Sequence, residues 1–388
     1  MYRFVRSAVV ALSVSIAAPA LAVEPTGSLM ADAFLRSLEA RGFRDVRAEA
    51  VTREPRLTLA NVRAADADGL DLTIAEVTLT APALNAAEAL TAHQIVYADF
   101  RLEDPAGARS TTIGAVTLDD PVLPTATPTG NGALVAFAGS FRRLALTDLS
   151  TRSDESGAAT SPLTIAALAL TVAEPGRTNT TGGQLVIDRL SFAADLLDGD
   201  AARTLRSLDL GTVSLDLIGE GSWDRTSGLA NLETATVRVA DIGTLAVSAE
   251  LSGLSEEAAA RIGAGVSDGA ALLEALQAVT FLSLSVAYAD DGLAEKLLSR
   301  GAERAELDRA TYAGALVAAL RAGLTRLGDA AFAERASDAA ARFLAAPGRI
   351  AISAAPSQSL TLAQVMGVAL MRPDALPALL NLTIENAP

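Results

Sequence analysis

Cysteine is absent from the 388 residues. No disulfide, no Cys-ligated metal and no thiol redox centre can form, and no cysteine is available to carry a lipid. Histidine occurs once, at His93, which removes the usual zinc sets because these draw on several His or Cys ligands. Lysine also occurs once, at Lys296, so arginine carries nearly all the positive charge. Aromatic residues make up 4% of the chain, with a single tryptophan at Trp223, so a core must be assembled from Leu, Val, Ile and Ala in thin layers. Positive charge is scarce as well: the net charge is −15, and about −17 once Arg3 and Arg6 are set aside. Such a chain repels nucleic acid and anionic headgroups and stays soluble. Its densest basic pair is Arg142-Arg143.

Long apolar runs are missing beyond the first residues. Val317 to Leu327 is interrupted by Arg321, Gly323 and Arg326, and Val365 to Leu370 is too short to span a bilayer. No integral membrane span is expected after the N-terminus. The first twenty-two residues read differently. Arg3 and Arg6 form a positive start, Ser7 to Ala18 is apolar, Pro19 breaks the run, and Ala20-Leu21-Ala22 has the small-x-small pattern of a cleavage site. The expectation is a signal peptide over residues 1–22 and a periplasmic protein beginning at Val23. If the signal stayed uncleaved, it would tether the protein to the inner membrane.

Residues 23–254 read as a β-rich domain behind a short helix. Leu29, Ala33, Phe34 and Leu38 recur at helical spacing over Ser28 to Arg41, and Gly42 stops the run. The period then changes. Leu57, Leu59 and Val62, then Leu70, Leu72, Ile74, Val77 and Leu79, describe two half-buried strands around an Asp66-Ala67-Asp68-Gly69 turn. Ile95 to Leu102, Ile113 to Leu118, Leu163 to Val172, Leu185 to Phe192, Leu205 to Ile218 and Thr234 to Leu251 continue the series, with Pro or Gly near most breaks. Pro121 to Gly132, Thr151 to Ser161 and Gly176 to Gly183 read as loops. Intervening helices are lacking, so parallel βαβ winding is excluded in favour of a long antiparallel meander.

Residues 255–388 read as a mainly helical region packing on that sheet. Ser255 caps a helix over Glu256 to Ile262, and another covers Asp268 to Ala278. A strand over Thr280 to Ala289 is followed by helices at Leu293 to Arg300, Glu306 to Leu327 and Ala330 to Leu344, the last stopped by Pro347-Gly348. Arg349 to Ala354 is a strand, Leu360 to Leu370 a helix, Arg372-Pro373-Asp374 starts another, and Leu380 to Ile384 closes the chain as a strand. The fold class is α+β, with a curved, groove-like meander ahead of the helices.

Catalytic chemistry is poorly supplied. His93 precedes a strand, and no Gly-x-Ser-x-Gly elbow accompanies it. Asp66, Asp68 and Asp71 surround Gly69, but residue 75 is Ala where a calcium loop needs its bidentate Glu, and Glu76 falls one place late. Asp198-Gly199-Asp200 is a turn. Asp119-Asp120 and Asp290-Asp291 are acid pairs of the kind glycosidases use, yet they sit at turn and helix-cap positions. Gly219-Glu220-Gly221 lacks the third glycine and the helix of a phosphate loop. Lys296 is a solvated helix residue, and Trp223 caps a sheet edge or stands at the mouth of an apolar groove. The expectation is no catalytic residue, no cofactor and no metal.

Several stretches carry a family likeness. They are Gly42-Phe43, Leu57 to Val62, Leu72 to Val77, Trp223-Asp224, Ile242 to Leu245, Tyr288 to Leu293 and Phe343 to Gly348. Behind a signal peptide they resemble uncharacterised exported proteobacterial proteins, loosely similar to the AsmA-like and YdgA-type periplasmic families. The resemblance implies a curved sheet with an apolar inner face and carries over no catalytic residue. The expected function is a non-enzymatic cell-envelope protein that binds lipid or another apolar ligand in a β-groove. The alternative is a scaffold that binds another envelope protein.

Overall fold

The computed structural model describes residues 25–52, 56–65, 69–104, 109–124, 141–153, 162–173, 180–197, 199–264, 274, 276–326 and 328–387. The signal-peptide segment, Asp66 to Asp68, Asp198, most of the three expected loops and most of the Asp268 to Ala278 helix lie outside them. Within the described residues the fold class is α+β. Sixteen strands belong to one antiparallel sheet that follows chain order apart from two side pairings, and most helices come late in the chain. The chain divides into two compact units, Met1–Thr178 with Gln184–Ser214, and Asn179–Gly183 with Leu215–Pro388. Each is taken by itself.

The first unit opens with α1, Leu29–Glu39. Ser28 accepts a bond from the Ala31 amide, Asp32 faces the helix N-terminus, and Gly42 leaves the helix at φ +96°. Apolar residues at helical spacing put Ala31, Phe34, Leu35 and Leu38 on one buried face. That face closes over a sheet of β1 (Arg44–Arg47), β3 (Leu57–Ala65), β4 (Asp71–Thr80), β7 (Gln94–Glu103), β8 (Arg109–Asp119), β10 (Arg143–Ser153) and β11 (Leu163–Ala173), in that order, with β2 (Ala50–Thr52) also paired to β3. A second sheet of β5 (Ala83–Leu84), β6 (Leu90–Thr91) and β9 (Val122–Leu123) adds Leu90 and Leu123 to the same core, with Phe141 beside them. Burying each such side chain contributes about 1.5–3 kcal/mol.

Cross-strand neighbours share a face, so the register writes the core as rows. One row runs Leu59, Val77, Tyr97, Val116, Leu146, Leu168; the next runs Leu57, Leu79, Ile95, Leu118, Leu144, Leu170. Beyond them the apolar parity slips by one residue. Leu59 is followed on the core face by Val62, Ile74 by Val77, and Tyr97 by Phe100. Asn61, Asp99 and Asp148 stand at the slip, each at positive φ (50°, 51° and 55°). Ala75 and Gly114 occupy the corresponding places on β4 and β8. Asn and Asp tolerate the left-handed region better than other side chains, so they carry the slip across the strands while the pairing stays one-to-one.

Along the rows the cover thins. Leu59 and Val77 are fully buried, whereas Val116, Leu168 and Leu170 are only partly so. An eleven-residue helix is about 16 Å long, while six strands measure about 24 Å across, so α1 alone cannot cover the face. β12 (Thr180–Ala193) has residues in both units. It leads through a 3₁₀ turn into α2, Gly199–Ser207, where the sequence pattern predicts a strand from Leu205. Ala202 packs inward there, and the strand starts only at Thr212.

The second unit carries β13 (Thr212–Asp224) from Leu215 onward, then β14 (Leu229–Val239), β15 (Gly243–Ser252), β16 (Thr280–Asp290), β17 (Arg349–Ala354) and β19 (Thr383–Ala387) side by side, with β18 (Leu360–Thr361) paired to β16. Between β15 and β16 lies α3, Glu256–Ala264. Between β16 and β17 come α4 (Leu293–Ala305), α5 (Arg309–Thr325) and α6 (Ala330–Ala345). Asp308 and Asp329 cap α5 and α6 through the Thr311 and Phe332 amides. After β18 follow α7 (Leu362–Met371), held by a Thr361/Gln364 capping box, and α8 (Leu376–Leu379). The residues α4 and α6 bury are mostly alanines, with Leu298, Phe332 and Ser337.

Candidate functional site

Among the described residues, those singled out from the sequence lie in separate places. His93 Nδ1 lies 3.2 Å from Asp120 Oδ1, and Asp120 also accepts a bond from Arg142 Nε at 2.8 Å. All three are exposed, and the His93 ring makes no other hydrogen bond among the described residues. The group ties the ends of β7, β8 and β10 together, helped by Gln94 Nε2 donating to Asp119 Oδ1 at 3.0 Å. Asp71 begins β4, and Asp200 pairs with Arg203 on α2. Gly219-Glu220-Gly221 lies inside β13, and a Cβ at Gly221 would fall 2.7 Å from the Asn231 carbonyl oxygen. Lys296 Nζ reaches the Asp241 carbonyl at 3.3 Å. Among the described residues no group of three His, Asp or Glu is placed to hold a metal ion.

Trp223 and the Asp290 pair are structural anchors. The Trp223 indole donates to the Leu254 carbonyl at 2.6 Å, and the Arg225 guanidinium sits 5.7 Å from its ring centre. Next to it, amides of Ser227 and Thr226 hold the Asp224 carboxyl below the usual carboxylate range. Asp290 Oδ1 accepts bonds from the Tyr288 hydroxyl and the Ala294 amide, both at 2.9 Å, while Oδ2 accepts from the Gly292 amide at 3.0 Å. Both of its oxygens are engaged at the start of α4. The Tyr288 hydroxyl also donates toward the Ile242 carbonyl at 2.7 Å, and its ring stands edge-on to Phe343. Burial, then the Asp290 bond and the Asp290 and Asp291 charges, push this phenol well above its ordinary value. Gly243 makes the arrangement possible: a Cβ there would lie 2.4 Å from the Ala289 carbonyl oxygen and 2.7 Å from the Tyr288 ring.

What the second unit does present is an apolar sheet face. Register places Leu217, Val237, Leu245, Tyr288 and Ile350 in one cross-strand row, and Gly219, Ala235, Val247, Val286, Ile352 and Ile384 in the next. Leu232, Ala249 and Leu284 follow, then Trp223, Ala230, Leu251 and Phe281. The opposite face is largely polar, with Asp216, Arg238, Thr244, Ser248, Ser285 and Ser353. Extra residues on β14 and β16 keep the apolar side chains on one side through two register shifts. Buried sheet faces normally take such rows into a core. Here Leu245 remains 42% and Ile352 45% exposed, and Val247, Val286, Leu284 and Ile384 are only partly covered. A second apolar surface is α7, uncharged along its length, with Leu370 82% and Met371 85% exposed.

A family model described as "Uncharacterized protein" matches residues 236–387. That span takes in β15 to β19, the Tyr288–Asp290–Gly243 anchor and most of the open apolar face. No curated protein matches the chain. No helix among the described residues is long and apolar enough to cross a membrane.

Proposed function

We propose that this chain is a non-enzymatic periplasmic protein of the cell envelope, exported by the signal peptide at residues 1–22, that binds a lipid or another apolar ligand on its uncovered sheet face. The reading keeps the likeness to AsmA-like and YdgA-type proteins as part of the proposal. The observation that carries it is the row Val247, Val286, Ile352 and Ile384, which lies on an apolar face and never reaches core burial. Magnitude selects the class of ligand. Each buried methylene contributes about 0.8 kcal/mol, so about eight of them supply about 6 kcal/mol. Association costs at least about 4 kcal/mol, which leaves short apolar molecules unbound and long acyl chains bound.

Native mass spectrometry of the protein purified from the periplasm, with lipid extraction of the same sample, tests this. A stoichiometric lipid adduct that disappears in Val247→Asp with Ile352→Asp is the expected result. A bare mass at saturating lipid overturns the reading. The uncharged, exposed α7 favours the second reading, a scaffold that docks another envelope protein. Loss of a co-purifying protein in Leu370→Glu with Met371→Glu, with no lipid in the wild type, would select it.

A further inference from the structure

Charged residues make up 20% of this chain, yet they almost disappear near its C-terminus. Between Arg349 and Glu385 the charged residues are Arg372 and Asp374 alone. These two cancel through an ion pair of 3.1 Å. The span holds β18, α7 and α8, all in the second unit. In a chain with a net charge of −15 it is a neutral window.

α7 occupies the middle of that window and buries none of its residues. Leu370 and Met371 are almost wholly exposed, and Met366, one turn earlier, is exposed as well. A Cβ added at Gly367 would meet nothing within 4 Å among the described residues. Successive residues turn by about 100° round a helix axis, which places Gly367 between Leu370 and Met371. Met366, Leu370 and Met371 therefore spread over about 140° of the circumference. Methionine is concentrated here too: of four in the chain, two lie on this helix.

Shape and charge together select a partner. A helix that docks in a protein groove offers a stripe at i, i+3, i+4 and i+7. Leu370 and Met371 instead diverge at the last turn, so a cover for both must wrap the end of the helix. Fluid hydrocarbon does this without a preformed pocket, and thioethers adapt to it. Ten residues make about 15 Å of helix, half the thickness of a bilayer core, so α7 fits the interface and not a span. An anionic bilayer repels the acidic surface around the window, whereas zwitterionic headgroups bring no net charge against it. Arg372 follows Met371 directly, and its exposed guanidinium can exchange Asp374 for a headgroup phosphate.

We infer that α7 docks this protein on the surface of a zwitterionic lipid bilayer, with Leu370 and Met371 among the acyl chains and Arg372 at the phosphates. This stands whether or not the sheet face holds a ligand, and it accounts for the exposed α7 without a protein partner.

The test is co-sedimentation of the protein purified from the periplasm with phosphatidylcholine vesicles and with phosphatidylglycerol vesicles. The protein should bind phosphatidylcholine vesicles, and phosphatidylglycerol vesicles more weakly at low salt, with the gap closing as salt rises. Leu370→Glu with Met371→Glu should lower the partition coefficient about tenfold or more. Val247→Asp with Ile352→Asp, on the sheet face, should leave it unchanged. Circular dichroism checks that both variants are folded. A footprint on the unaltered protein needs neither variant. Hydrogen peroxide oxidises exposed methionines to the sulfoxide, and phosphatidylcholine vesicles should slow this several-fold at Met366 and Met371 but not at Met30 on α1. No binding to either vesicle, tighter binding to phosphatidylglycerol, or binding that survives the double glutamate variant overturns the inference. So does a pair of methionines that vesicles leave unprotected and a co-purifying protein protects.

Discussion

The two units use the same antiparallel grammar and finish it differently. In the first, α1 and the small β5–β6–β9 sheet press Phe34, Leu35, Leu38, Leu90 and Leu123 onto the meander, and Leu59, Val77, Leu79 and Ile95 become fully buried. In the second, the helices bury mainly alanines and an equivalent set of Val, Leu and Ile side chains stays near solvent. The difference lies in the covering elements and not in the strands. An alanine-faced helix approaches closely but removes little apolar area from water. A sheet whose apolar face is left half-covered has a use for it, or is covered by something else.

The comparison breaks most readily at Phe34. Replacing it with Ala should cost about 3–5 kcal/mol in urea unfolding, whereas Leu245→Ala should cost less than about 1 kcal/mol because its side chain already meets water. Equal costs would mean that both faces belong to a core. Gly243→Ala should come next, at about 2–3 kcal/mol, because φ is +148° and the new Cβ meets the Ala289 carbonyl and the Tyr288 ring. Gly219→Ala, with open space around it, is the control and should be nearly silent. At the parity slip of the first unit, Asp99→Val should cost about 1–2 kcal/mol and Asp99→Gly far less, since only the former fights the left-handed backbone.

A smaller effect separates the tyrosines. Tyr97 is raised by burial, with Arg41 opposing, while Tyr288 is raised by burial together with its Asp290 bond and nearby carboxylates. A raised folded value means that the stability is intact below the ordinary phenol pKa of 10.0 and is lost as pH climbs from there toward the folded value. Tyr288→Phe should lose about 1 kcal/mol at neutral pH and flatten the alkaline limb of the stability curve. Chemical unfolding between pH 8 and about 11 reads this out. The smallest effect is at Asp308. Bonds from the Thr311 hydroxyl and amide hold this carboxyl below its ordinary value of 3.8, so its contribution is present above that pH and disappears as pH falls through the lower folded value. Asp308→Asn should leave α5 with a weaker acid dependence, measured as helicity during an acid titration.

Much of the architecture was legible because local chemistry and final structure agree. The alternation at Leu70 to Leu79, the Ser255 and Asp290 caps and the Pro347-Gly348 stop all act within a few residues, and β16, β17, α4 and α6 fall close to where the pattern puts them. The strand expected from Leu205 failed because Leu205, Leu208 and Leu210 are apolar in an order that a helix and a turn also satisfy. The open face was harder to see. Which strands lack a cover is a property of the distant helices, and Leu245 looks the same in sequence whether α6 or water lies above it.

The line of Asn61, Asp99 and Asp148 has a consequence for how this chain tolerates change. On either side of that line the residues facing the core are counted in opposite phase: Leu57 and Leu59, then Val62 and Ala64. Each left-handed residue therefore works like a frame shift written into the strand. Forcing residue 61 into ordinary extended backbone would turn Val62 and Ala64 away from the core, so a substitution there that cannot adopt the left-handed region harms the whole end of β3. A chimera that exchanges half a strand with a relative keeps its faces only if the Asn or Asp travels with the half it serves.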